Sequence, residues 1–382
     1  MKSWRRGRIV GMVGRAISMW SRARYMFALG VALIALGGVI AAGQAAQPGT
    51  VDQKAIQVPT AKPGEVPTLH VYADLIDVPV LVMGPGWEPI PRIANDRFRV
   101  SIGGGPPYRV QHVRLEGEDP ISLGILLDLR GSQDELLKTM GKDLGRLVPG
   151  SLHAQDRVSM YGLDCGLVRS LNDVPVTQQD LRHGVRVLLD ARQVRRNERP
   201  KRACPTGQHF WDSVGAVVVE ISRLPGRRVV LVVSDGYDSG SNHRANSVRL
   251  YAQLKGVAIF GLADAAVSLQ WRQLFEAPFD DVCQLSGGMI APADSKGLAG
   301  QLQAFLAKVR GRYILEFPRP YNATPGGYSL DVRIDHSDAW IRAAGISFPI
   351  EDSAVKNDPT TVQGDPSLTP VQGPHRVLED KH

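Results

Sequence analysis

Two apolar runs in this sequence stop on a carboxylate. ILLD ends at Asp128 and VLVVSD ends at Asp235; LRGS follows the first acid and GYDSGS the second. An acid followed by hydroxyls at alternating positions suits a hard divalent cation, since Mg²⁺ takes six close oxygens, some of them from water. Asp128, Ser132 and Asp235 offer three such oxygens. Arg130 stands where the first hydroxyl is expected. A guanidinium brings its own positive charge and forks onto carboxylates. Two readings are therefore open: an internal Arg–Asp cluster without metal, or a weakened Mg²⁺ or Mn²⁺ site with Arg130 turned outward. Asp235 taken alone also reads as a loop-capping acid.

The acids act together only if the chain folds them to one place. ISLGILLDL is a fully apolar strand, and DELLKTMGKDLGRLV puts Leu136, Leu137, Met140, Leu144 and Leu147 on one helical face. RVSMYGLD is the next strand, and Thr177 caps TQQDLRHGVRVLL with Asp180 three residues on. The helix WDSVGAVVVEISRL, the strand RRVVLVVSD, the helix ANSVRLYAQLKG and the strand VAIFGLA continue the alternation. FDDVCQLSGG, MIAP and DSKGLAGQLQAFLAKVRG read as a short helix, a strand and a last helix. This rhythm predicts an α/β fold over 119–310, a doubly wound, mostly parallel sheet with helices on both faces. Ligands of such sheets bind outside the carboxyl ends of the strands, where Asp128 and Asp235 lie.

Residues 67–118 and 311–350 read as short β-segments, including LHVYADLIDVPVLVM, RFRVSIGG, PYRVQHVRLE, RYILEF, YSLDVRID and IRAAGISFPI. Two or three strands alone make a marginal sheet. The flanks are thus expected to meet in one small β-module into which the α/β domain is inserted. Residues 351–382 are polar and Pro-rich and read as a disordered tail.

The net charge of +7 does not point to nucleic acid. Residues 1–45 carry Lys2, Arg5, Arg6, Arg8, Arg15, Arg22 and Arg24 and no acid; without those seven, 38 basic residues face 38 acidic ones. After Arg24 an uncharged run extends from Tyr25 to Ala46, with small residues at Gly43 and Ala45. Residues 1–45 read as a cleaved signal peptide and 46–66 as a linker. An uncleaved membrane anchor is the alternative. In both cases the globular part is exported, to the periplasm or outside the cell.

The order and spacing of D-x-x-G-S at Asp128, the loop before WDSV and SDGYDSGS resemble a von Willebrand factor A (VWFA) domain. The segment Asp96-Arg97-Phe98-Arg99-Val100 and the RGRYILEF…GGYSLDVRI stretch bring it near the VWFA-related domain proteins of the Acidobacteria type. The resemblance spans about residues 68–350. It implies a metal-ion-dependent adhesion site built from D-x-S-x-S, a Thr from a second loop and an Asp from a third. Asp128, Ser132 and Asp235 keep their positions, Arg130 replaces the first Ser, and Gln208 falls at the Thr position with Thr206 two residues away. The adhesion site is therefore expected to be degenerate.

Cys165 and Cys204 both fall on the expected top face, where a disulfide would stiffen the rim of an exported protein; Cys283 reads as a small buried side chain. His209 and His243 fall in top-face loops and take no catalytic role. Arg192–Arg202, RQVRRNERPKR, reads as an exposed loop, or as a contact for an acidic partner or anionic surface.

The leading functional expectation is a non-enzymatic module that binds a protein ligand at the top face, with Arg130 able to grip an acidic ligand directly. A haloacid-dehalogenase-like phosphatase is the rival. Asp128 would be its nucleophile and Asp280 or Asp281 would help hold Mg²⁺, but Arg130 occupies the place of its acidic proton donor. The third possibility is a purely structural envelope protein. Membrane contact is expected only through the N-terminal segment.

Overall fold

The computed structural model describes residues 75–117, 119–130, 134–198, 209–264, 277–348, 350 and 365–375. The expected signal peptide (1–45) and linker (46–66) lie outside the described residues. Among those described, no helix is long and apolar enough to cross a membrane.

The chain opens with β1 (Leu75–Met83), β2 (Phe98–Ile102), β3 (Tyr108–Arg109) and β4 (His112–Leu115). Next come β5 (Ile121–Asp128), α1 (Asp134–Gly145), β6 (Arg157–Leu163), β7 (Leu167–Pro175), α2 (Gln178–Glu198), α3 (Phe210–Ser222) and β8 (Arg227–Val233). They are followed by α4 (Ala245–Lys255), β9 (Val257–Asp264), α5 (Ala277–Leu285), β10 (Ile290–Ala293) and α6 (Leu298–Arg310). The chain continues through β11 (Tyr313–Pro318), β12 (Gly326–Tyr328), β13 (Leu330–Ile334), β14 (Trp340–Ala343) and β15 (Ile346–Phe348).

Six strands form the central sheet in the order β10-β9-β8-β5-β6-β7. The neighbouring strands are parallel except at the β6–β7 edge, which is antiparallel. Numbered from β5 this is the doubly wound order 3-2-1-4-5-6, which reverses direction between β5 and β8. The eight residues of β5 are all buried, as a central strand covered on both faces requires. Leu123, Ile125 and Leu127 pack with Leu137, Leu144, Leu181 and Leu302 of α1, α2 and α6. Leu126 packs on the other face with Val214, Val217 and Val218 of α3. Thr177 and Asp180 form the capping box of α2: the Asp180 N–H donates to Thr177 Oγ1 at 3.0 Å.

The flanks meet as their shortness required. β1 pairs with β11 and β14, β4 with β11, and β2 with β13, so both flanks contribute to the same sheets. The two crossings into the inserted domain lie side by side. The Glu116 N–H donates to the Arg312 carbonyl at 2.8 Å and the Gly117 N–H to the Arg310 carbonyl at 2.9 Å.

Four features depart from the sequence reading. β7 is a strand that the pattern did not announce: of its nine residues only Leu171 is buried, because it is an edge strand with a mostly solvated face. PYRVQHVRLE, expected as one strand, divides into β3 and β4, which pair with different sheets. The basic run from Arg192 is not a loop through residue 198; it completes α2. Arg192 is buried and paired with Asp134 at the start of α1, and Arg195 reaches Asp164 in the β6–β7 turn. Helical spacing turns these two arginines inward onto acids, which a count of charges cannot show.

The expected disordered tail is also corrected in part. Residues 365–375 pack against the β-module, whereas 351–364 and 376–382 lie outside the described residues. The Gly373 N–H donates to the Ile102 carbonyl at 2.9 Å and the His375 N–H to the Gly103 carbonyl at 3.0 Å. Gln372 exchanges backbone hydrogen bonds with the Asn322 amide at 2.9 and 2.8 Å, and its own side chain binds Thr324. The polarity that suggested disorder is used here to satisfy backbone groups. Gly105 permits the approach: a Cβ there would lie 2.2 Å from the Val371 carbonyl oxygen.

Candidate functional site

The pairing of β5 with β8 brings Leu127 opposite Val233, so the next residues, Asp128 and Ser234-Asp235, leave adjacent central strands at one rim. Asp128 is 4% exposed. Its carboxylate is fully occupied. Oδ1 accepts from the Arg130 N–H at 3.1 Å and from Arg130 Nε at 2.9 Å; Oδ2 accepts from Arg130 Nη2 at 2.6 Å and from Ser234 Oγ at 2.7 Å. The Ser234 hydroxyl in turn accepts from the Gly236 N–H at 3.0 Å.

Arg130 therefore faces inward. Besides its fork on Asp128, Nη2 donates to the Tyr237 carbonyl at 2.9 Å, and the guanidinium carbon lies 5.9 Å from the centroid of the Phe210 ring. Nη1 is buried with no hydrogen-bond partner among the described residues. Burial works against the charged guanidinium, but the bond to Asp128 and the charges of Asp128, Asp235 and Asp238 outweigh it and hold the group above its ordinary value. Burial pushes the Asp235 carboxyl up, opposed by the Tyr237 N–H at 3.0 Å and by the charge of Arg130.

Among the described residues, Asp128 leaves a divalent cation no open lone pair. A carboxylate has about four lone-pair positions, and four donors fill those of Asp128. The guanidinium beside it would repel a second positive charge. Among the described residues, no group of three or more His, Cys, Asp or Glu side chains is placed to hold a metal. Arg130 is likewise not presented to a ligand in the way the sequence suggested, because its side chain is only 5% exposed. Ser132, Thr206, Gln208 and Cys204 lie outside the described residues. Cys165 is disulfide-bonded, whereas Cys283 is free and buried. Asp280 and Asp281 fall in α5, and neither is among the partners of Asp128.

Two acids that the sequence reading did not single out brace the rim. Asp238, in the loop after β8, caps α3: its Oδ1 accepts from the Phe210 N–H at 2.8 Å. Asp212, in the first turn of α3, reaches back to the same loop. It accepts from the N–H groups of Asn242 and His243, both at 2.9 Å, while the His243 and His209 rings lie 2.8 and 3.3 Å away. These bonds, chiefly those from the Asn242 and His243 backbone, outweigh burial and lower the Asp212 carboxyl to about 2. The signal for both acids was present in WDSV and GYDSGS, but only the fold reveals that each serves the other's loop. Asn242, His243 and Arg244 are left exposed on this braced chain.

No protein-family model matches the sequence, and no curated protein matches it. Similar solved structures include BatB from Bacteroides thetaiotaomicron (15% identity, 50% of this chain and 98% of that one, TM-score 0.34). An aerotolerance-related membrane protein from Bacteroides fragilis NCTC 9343 is also similar (15%, 49% and 99%, TM-score 0.33). A third is the vWF domain of the type V pili tip protein Mfa5 from Porphyromonas gingivalis (9%, 50% and 95%, TM-score 0.36). The order and direction of its own six strands, with acids of the central pair at one rim, make the inserted domain a doubly wound, mostly parallel α/β domain.

Proposed function

We propose that the chain is an exported, non-catalytic binding module that engages a protein partner through the loops at the carboxyl end of its parallel sheet. One observation carries this reading: the acids at the rim are engaged in holding loop backbone. Asp212 and Asp238 tie α3 to the β8–α4 loop, so Asn242, His243 and Arg244 stand on chain that is already ordered. A surface ordered in advance loses less entropy when it binds. Asp128 supports the absence of catalysis, because a carboxylate with every lone pair engaged is a poor nucleophile. Export rests on the N-terminal sequence.

A photo-crosslinking residue at position 243 of the full chain, expressed in bacterial cells with an outer envelope, is expected to capture a discrete protein. One at Leu254, exposed at the far end of α4, is not. Magnesium-dependent hydrolysis of p-nitrophenyl phosphate, lost on Asp128→Asn, would replace this reading with the phosphatase.

A further inference from the structure

We infer that the Arg130 guanidinium stands in this domain where a divalent cation would otherwise sit, as the single positive charge to which three top-face segments are tied. The inference rests on the cluster's geometry and needs no ligand. The guanidinium reaches three parts of the chain at once. Nε and Nη2 fork onto Asp128 at the end of β5, Nη2 also holds the Tyr237 carbonyl in the loop after β8, and the guanidinium plane's carbon sits by Phe210, the first residue of α3. A hard cation joins chain segments by drawing oxygens from each; the guanidinium draws oxygens from two segments and meets the third through an aromatic ring. Here the charge is covalently attached to the chain, so the rim assembles without capturing an ion.

The exchange has a consequence for recognition. A bound dication with an open coordination position can accept a carboxylate from a ligand, whereas this guanidinium is buried and already shared between Asp128 and Tyr237. The buried centre thus acts as an internal fastener, and any partner meets the exposed loop residues around it. The arrangement also explains why Ser234 turns its hydroxyl hydrogen to Asp128: Asp128 has one lone pair that the arginine does not reach.

The test compares the full-length chain with Arg130→Ser by thermal melting in EDTA and in millimolar MnCl₂, with Mn²⁺ binding followed by equilibrium dialysis. The unaltered chain is expected to melt at the same temperature in both and to bind no Mn²⁺. Arg130→Ser is expected to melt roughly 5–15 °C lower in EDTA, as loss of a buried charge partner implies, to recover part of that loss in MnCl₂, and to bind Mn²⁺ in a manner abolished by Asp128→Ala. Arg130→Lys keeps the charge without the fork and is expected to fall between the two. Mn²⁺ binding or stabilisation in the unaltered chain overturns the inference. So does an Arg130→Ser chain that is undiminished in EDTA, or one that is weakened yet indifferent to Mn²⁺. If Arg130→Ser does not fold without metal, refolding in MnCl₂ decides the matter: recovery of native tryptophan fluorescence supports the assignment, and continued failure overturns it.

Discussion

Glu116 and Arg312 form a forked ion pair, at 2.6 and 2.7 Å, where the chain enters and leaves the inserted domain. Both side chains are almost wholly buried, at 1% and 2% exposure. The pair spans 196 positions of sequence and fastens the two crossings to each other. A buried charge left without its partner costs far more than the pair contributes over an apolar substitute. Glu116→Gln is therefore expected to lower unfolding free energy by about 3–5 kcal/mol. The double change Glu116→Leu with Arg312→Met is expected to cost less than Glu116→Gln alone. Urea melts of the full chain check both, and a double variant worse than the single one would refute the argument.

Asp212 makes the top face sensitive to acid. Its carboxyl titrates at about 2 in the folded chain, below its ordinary value, so its folded form binds a proton less readily than the unfolded form. The stabilisation is complete above the unfolded value and is lost as pH falls through about 2. Because Asp212 is partly solvated, the contribution is about 1–2 kcal/mol after screening. Asp212→Asn is expected to show a shallower fall in stability between pH 4 and pH 2, roughly the window set by the two values. Denaturant midpoints measured across that range give the difference.

Asp238→Ala removes the carboxylate that receives the first N–H of α3. A lost cap costs about 0.5–2 kcal/mol, and here it also frees the loop that carries Asn242 and His243. Amide exchange is expected to quicken at Phe210 and across 238–243, with the sheet amides of β8 unchanged. Uniform quickening over the whole domain would contradict a local role.

Gly105→Ala is expected to release the docked segment, because the added carbon would meet the Val371 carbonyl at 2.2 Å. The Gly373 and His375 amides should lose protection from exchange, and protease should cut the chain before residue 375 sooner than in the unaltered protein. Retained protection at Gly373 would show that the β2–β3 turn yields instead.

The alternation of apolar strands with amphipathic helices was readable without coordinates, because the part of a strand buried on both faces has to be continuously apolar, as ILL before Asp128 and VVLVV after Arg228 are. The flanking strands were readable as a pair because neither could be stable alone. Less was legible where polar residues are used inside the fold. β7 shows only one buried side chain, Arg192 pairs across from another helix, and Gln372 binds a loop fifty residues away. Polarity in sequence reports a preference for water, not whether the fold supplies a partner in its place.

At the rim the division is clearest. Sequence alone determined that Asp128 and Asp235 stand at the carboxyl ends of two apolar runs, and that an arginine follows the first acid at the position of a hydroxyl. Only the tertiary structure decided where that arginine points. Its direction depends on Ser234, Tyr237 and Phe210, which come from segments more than 75 residues away and which no local pattern connects to it.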